Sequence, residues 1–243
     1  MLYRIILLML FSHAAFAGEV KAAVAANFAA PAKQIAALFE KETGNRVSLS
    51  TGATGKFYAQ IREGAPFDVL LAADEDTPEL LEQQGLAVAG SSFVYALGKL
   101  VLWSSTTGYA DGSDSLKAAG RIAIADPKLA PYGRAAMEAL QNMGLMQKVG
   151  SRVVTGESIG QTYQFAASGN ARLAFIALSQ IMQDGRVSKG SWWLVPESLY
   201  RPIRQAAVEL ASAKDRKAAA AFLTFLKGPE AAAIIRSYGY GMP

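Results

Sequence analysis

Residues 50–60 read STGATGKFYAQ, and the reading of this stretch decides the rest. A β-prone run (Val47, Ser48, Leu49) enters a row of small and hydroxyl residues: Ser50, Thr51, Gly52, Ala53, Thr54 and Gly55. Helix formers follow at once, with Phe57, Tyr58 and Ile61 at helical spacing. A strand, a glycine-rich turn and a helix in that order aim backbone N–H groups and the positive end of the helix at one spot. Such a spot binds anions without a dedicated apparatus. The stretch predicts an oxyanion seat with Thr54 as hydroxyl donor. Its plainer reading is an ordinary strand-to-helix loop with a threonine cap.

The same alternation extends in both directions. Residues 21–26 (KAAVAA) read as a buried first strand, Asn27-Phe28 turns the chain, and a helix with Pro31 in its first turn carries Ile35, Leu38 and Phe39 to a stop at Gly44. Residues 67–73 (FDVLLAA) form a near-continuous apolar strand, as in a parallel sheet covered on both faces. Thr77-Pro78 predicts a hydroxyl-capped helix ending at Gly85. Beyond Lys99, residues 100–103, 122–125, 153–155 and 173–176 read as strands. Helices follow Pro131-Tyr132-Gly133, running to about Met143, and Ser158-Ile159-Gly160, running to Ser168. Residues 206–210 predict a last strand, Ser212 to Asp215 a capping box, and Ala218, Phe222, Phe225 and Leu226 a helix stripe; a short helix after Gly228-Pro229 ends near Tyr238. Repeated βα units imply a doubly wound α/β fold with ligand sites at the strand-to-helix turns. Two lobes joined by crossing strands, near Lys99 and near Gln205, fit this order.

Composition removes several chemistries. The chain opens MLYRIILLMLFSHAAFAG, with Arg4 before an apolar run and Ala15-Phe16-Ala17 as a small-x-small cleavage site. That is a cleavable secretory signal over residues 1–17, its apolar run being too short for a membrane span. It implies an exported, periplasmic protein beginning at Gly18. His13, the only histidine, lies inside that segment, and there is no cysteine. A Ser-His-Asp triad, a thiol nucleophile and a His/Cys zinc site are therefore excluded from the mature chain. The formal net charge of +4 comes from scattered Lys and Arg, with no basic stripe interleaved with aromatics, so nucleic-acid binding has no support.

Three motifs fail on their chemistry. Gly156-Glu157-Ser158-Ile159-Gly160 matches the nucleophile elbow of hydrolases, but no histidine remains to take the proton of Ser158; an exported serine hydrolase is the rival from another class. Residues 52–57 (GATGKF) lack the Walker A pattern, since Ser50 and Phe57 stand where glycine and a hydroxyl are needed. Asp68, Asp74, Glu75 and Asp76 read as turn caps facing water rather than as a metal site, and Tyr238-Gly239-Tyr240 as packing and a helix stop. Four strand–turn–helix junctions remain: Ala26-Asn27, Ala53-Thr54, Tyr132-Gly133 and Ser158-Ile159. Each offers backbone N–H groups and at most one neutral side chain. Facing lobes can bring all four to one anion. With no carboxylate acceptor, the site suits a fully deprotonated tetrahedral oxyanion, and a partly protonated phosphate matches it less well.

At these residues the chain resembles the periplasmic molybdate-binding proteins of ABC transporters. The resemblance is carried by AANF (25–28), GATGKFYAQI (52–61), GAPFDVLLAAD (64–74), YALGKLVLWS (95–104), PYG (131–133), SIGQ (158–161) and KGP (227–229). It implies a two-lobe type II periplasmic-binding fold, each lobe a mainly parallel sheet flanked by helices: lobe one from residues 18–98 and a return segment 206–243, lobe two from residues 99–205. It further implies Asn27 and Thr54 as side-chain and backbone donors, and Tyr132 and Ile159 as backbone donors. Ala26 offers only its backbone where some relatives carry a hydroxyl, and no tyrosine stands near Ala177 where others place one. The implied function is capture of molybdate, with tungstate bound comparably and sulfate rejected, and delivery to an inner-membrane ABC permease. A binding protein for another oxyanion is the alternative. No enzyme activity, cofactor or direct protein–metal ligand is expected, and a monomer is.

Overall fold

The computed structural model describes residues 18–187 and 190–243. The expected signal segment, residues 1–17, lies outside the described residues. Along the chain run β1 (Glu19–Ala25), a 3-10 turn (Ala26–Phe28), α1 (Ala29–Thr43), β2 (Arg46–Gly52), α2 (Thr54–Arg62), β3 (Val69–Leu71), α3 (Asp76–Gln83) and β4 (Phe93–Gly98). Then come β5 (Leu100–Ser104), α4 (Ser115–Ala118), β6 (Ile122–Ala125), α5 (Pro131–Asn142), α6 (Met146–Val149), β7 (Val153–Gly156), α7 (Ile159–Ala167) and β8 (Leu173–Ala177). A small hairpin, β9 (Met182–Gln183) and β10 (Arg186–Val187), precedes β11 (Ser191–Leu194), β12 (Ile203–Glu209), α8 (Arg216–Leu226) and α9 (Pro229–Ser237).

Two five-stranded sheets organise these elements, in the orders β2-β1-β3-β12-β4 and β11-β5-β8-β6-β7. They share one plan. In the first sheet β1 pairs in parallel with β2 and β3; in the second β6 pairs in parallel with β7 and β8. The remaining pairings are antiparallel. Because side chains alternate across a strand, each sheet feeds two cores. Val69 and Leu71 enter one cluster with Val20, Phe28, Phe39 and Phe222, while Leu70 enters another with Phe57, Ile61 and Leu81. The second sheet divides likewise, Leu102 and Phe175 on one face, Val101 and Ile176 on the other. Burial on both faces explains why β3 and β8 read as unbroken apolar runs.

The chain passes from the first sheet to the second at Lys99, between β4 and β5, and returns between β11 and β12. The return strand begins at Ile203, earlier than the expected residue 206: Ile203, Arg204 and Gln205, expected in lobe two, pair with Gly98, Leu97 and Ala96 of β4. A bulge at Gln205/Ala206 and the two polar side chains break the apolar pattern and hide the start of the strand. Two caps also differ from expectation. Thr77 lies inside α3, and its N–H donates to the Asp74 carboxylate instead. Asp215, not Ser212, caps α8 by accepting from Ala218 N–H, and the Ser212 hydroxyl donates to Phe67 O. Gly44 ends α1 as expected, in the left-handed conformation at φ 76°.

Candidate functional site

The turns after β1, β2, β6 and β7 lie at the carboxyl ends of their strands, where open α/β sheets place ligands. Ala26, Asn27, Thr54, Tyr132 and Ile159 all line one small cavity, so the structure brings the five expected residues together. The cavity leaves about 10 Å³ for the centre of a water-sized sphere. That is about the room that one water molecule needs. No charged side chain lines it.

The donors follow from helix geometry. α2 starts at Thr54, α5 at Pro131 and α7 at Ile159, and the first N–H groups of a helix have no intrahelical acceptor. α2 and α5 have no side-chain cap hydrogen bond. At α7 the Ser158 hydroxyl accepts from Gln161 N–H at 3.3 Å, leaving the earlier N–H groups uncapped. Ser158 is thus a helix cap, and no histidine occurs among the described residues to activate it. Thr54 is 2 % exposed, and its Oγ1 accepts from Ala73 N–H at 3.0 Å. With a backbone N–H on its lone pair, the hydroxyl hydrogen is free to point elsewhere, and both Thr54 and Ala73 line the cavity.

Two glycines let the segments approach. Gly55 N–H donates to Leu129 O at 2.9 Å, and a Cβ there would sit 3.0 Å from Leu129 Cα. A Cβ at Gly133 would collide with Ala125 O. These contacts account for glycine in GATGKF and PYG.

Asn27 behaves otherwise than expected. Its Nδ2, the anticipated donor, donates to Gln205 Oε1 at 2.8 Å and to Tyr240 Oη at 3.0 Å. Its Oδ1 is, among the described residues, the buried side-chain polar atom without a partner. Around it lies a network invisible in the sequence. Gln205 Nε2 donates to Tyr132 Oη, and the Tyr95 hydroxyl reaches Ala72 O and Gln205 Oε1. The hydroxyls of Ser179 and Tyr240 both reach Asn27 O. Tyr240, expected only to pack, therefore also hydrogen-bonds to Asn27, a residue of the cavity lining. Burial pushes the phenols of Tyr95, Tyr132 and Tyr240 well above their ordinary range, so all three stay protonated donors in neutral solution.

Charge is kept outside and paired. Lys56 meets Glu157 at 2.6 Å and Arg134 meets Asp74 at 2.7 Å, each linking an element of the first sheet to one of the second. Arg204 pairs with Glu75. Asp68, expected at a water-facing turn, is buried and accepts from Lys21 N–H and Lys214 N–H. Among the described residues no group of three or more carboxylates or histidines is placed to hold a metal ion.

Residues 20–241 match the profile of the bacterial extracellular solute-binding proteins. The chain belongs to that family. This solute-binding protein is 53 % identical over 236 residues to the molybdate-binding protein ModA of Azotobacter vinelandii, covering 96 % of this chain and 94 % of that one. It is 50 % identical over 229 residues to ModA of Rhodobacter capsulatus, covering 93 % and 89 %. Its structure superposes on the solved periplasmic molybdate-binding protein of A. vinelandii with a TM-score of 0.90 at 43 % identity, over 92 % of this chain and 99 % of that one. The solute-binding protein thus has the two-sheet fold expected from its βα units.

Proposed function

We propose that the chain captures molybdate in the periplasm and hands it to an ABC permease, acting as a binding protein and not an enzyme. The observation that carries this is the uncharged cavity at the meeting of three helix N-termini and the Ala26–Asn27 turn. The names of its half-identical relatives point to the same ligand. Fixed neutral donors offset the desolvation of a dianion, each charge-assisted hydrogen bond contributing about 1.5–3 kcal/mol. Asn27 and Thr54, with the Ala26 backbone, donate from lobe one, and the Tyr132 and Ile159 N–H groups from lobe two. Lobe one is residues 18–98 with the return segment; lobe two begins at 99 and gives way at the crossing before β12. Bending at the two crossings opens the cleft and separates the donors, which releases the ion. Tungstate, of like charge and shape, binds comparably. Sulfate, a smaller tetrahedron, does not reach both lobes at once. The protein works as a monomer after loss of residues 1–17.

A thermal-shift screen of oxyanions tests this, because a ligand that binds the folded state raises Tm according to its concentration and affinity. Molybdate and tungstate should raise it strongly, sulfate and phosphate little. Equal shifts with sulfate would remove the specificity assignment.

A further inference from the structure

The unpartnered Asn27 Oδ1 conflicts with a cavity that offers only donors. The two ends of a carboxamide are nearly identical in shape, so hydrogen bonding decides which way it faces. With Nδ2 turned to Gln205, the local count of donors and acceptors does not close. Gln205 Nε2 carries two hydrogens and meets only Tyr132 Oη, whose own hydrogen then finds no acceptor among the described residues. Tyr95 Oη has one hydrogen for two acceptors, Ala72 O at 3.0 Å and Gln205 Oε1 at 3.1 Å. Asn27 Oδ1 has nothing.

Exchanging the N and O ends of both amides resolves every one of these. The Tyr132 hydroxyl donates to Gln205 Oε1. The two Gln205 Nε2 hydrogens reach Asn27 Oδ1 and Tyr95 Oη, freeing the Tyr95 hydrogen for Ala72 O. Tyr240, whose single hydrogen has Asn27 Oδ1, Asn27 O and Ser179 Oγ within reach, donates to Asn27 Oδ1, and Ser179 donates to Asn27 O. All pairs keep the separations already present, 2.8–3.1 Å. What remains is the Asn27 Nδ2 group, with two N–H hydrogens left for a ligand, on a residue that lines the cavity.

We propose that Gln205 is a positioning residue for anion binding: held by Tyr132 and Tyr95, it acts with Tyr240 to lock the Asn27 amide so that Nδ2–H, and not Oδ1, faces the cavity. This rests on the oxyanion reading above. It gives Tyr132 two tasks, a backbone N–H for the anion and a hydroxyl that orients Gln205, so the approach of α5 also sets the donor on the opposite sheet. Gly98 makes room for the lock, since a Cβ there would collide with Tyr132 Oη and crowd Gln205 Nε2. Specificity follows: with no acceptor in the cavity, an anion carrying a proton leaves that proton unpaired.

Two measurements test this. In Gln205→Met the lock loses its polar end and the Asn27 amide can turn its Oδ1 inward to accept a proton. Calorimetry should then show molybdate weakened about 10-fold or more, and hydrogenphosphate weakened less, so that the preference between them narrows. Equal weakening of both anions, or unchanged molybdate affinity, would overturn the proposal. Should that variant not fold, neutron diffraction from deuterium-exchanged crystals of the ligand-free wild-type chain decides alone. Deuterium on the Asn27 atom facing the cavity supports the lock; deuterium on the atom facing Gln205 overturns it. A wild-type chain indifferent to molybdate would instead sink the oxyanion reading, and the crystal would still report how the amide is turned.

Discussion

Replacing Thr54 with valine tests the donor logic at its best-defined point, because the side chain keeps its shape and loses only its hydroxyl. Two separable effects follow. The Ala73 N–H that donates to Thr54 Oγ1 at 3.0 Å is left unpaired in a buried position, which costs about 1–3 kcal/mol of stability. For a domain of this size that lowers Tm by roughly 2–4 °C per kcal/mol. Independently, the anion loses one charge-assisted hydrogen bond, about 1.5–3 kcal/mol, or roughly 10- to 150-fold in molybdate Kd. Thr54→Ser retains the oxygen and should lose little of either. Isothermal calorimetry gives the second effect and ligand-free thermal denaturation the first. A Thr54→Val protein that is destabilised yet binds molybdate within threefold of wild type would show that the hydroxyl only staples β3 to α2, which refutes its role as a donor.

Gly55→Ala should change the ligand-free Tm little, the helix preference of alanine being offset by a Cβ 3.0 Å from the Leu129 backbone. It should weaken molybdate binding at least tenfold by pushing α2 away from the Leu129 backbone, as read by calorimetry. Lys56→Met should change molybdate affinity less than threefold, since the Lys56–Glu157 pair is largely exposed and no cation grips the ion; a large loss would mean that one does. Stability should fall at alkaline pH. Tyr95, Tyr132 and Tyr240 have folded-state pKa values raised by burial above the unfolded value of about 10, so their contribution is complete below pH 10 and is lost as pH climbs through the folded values. Denaturant midpoints measured from pH 7 to 11 should be steady and then drop; a flat profile past pH 10 would contradict it.

What could be read in the chain was local. The apolar runs of β3 and β8, the stop at Gly44 and the glycines of residues 52–55 and 133 each act through their own neighbours, so sequence spacing located most of the strands and the four turns whose residues line the cavity, but not β4 or β11. What escaped depends on distant partners. Nothing beside Gln205 marks it as buried: its environment is made by Tyr95, Tyr132 and Asn27, 178 residues away in the last case. Tyr240 lies 213 residues from Asn27 and passes for a packing residue until the tail folds back. The caps at Asp74 and Asp215 were misplaced for a smaller reason. Several hydroxyls and carboxylates stood within one turn, and only the backbone path chose between them.

Paired opposite charges at the rim and neutral dipoles within give one division of labour. In the proposed site the ion pairs link the two sheets at the rim, and the amides and hydroxyls select the guest. On this proposal neutral donors also leave the ion releasable, because opening the cleft would remove half of them without stranding a buried countercharge.

The most direct test is anomalous diffraction at the molybdenum edge from a crystal of the wild-type chain grown with molybdate. The metal should lie between Asn27, Thr54, Tyr132 and Ile159, its oxygens contacted only by amide N–H groups and hydroxyls. A peak beside Arg134 or Arg204, or an oxygen bound by Lys56, would contradict the account.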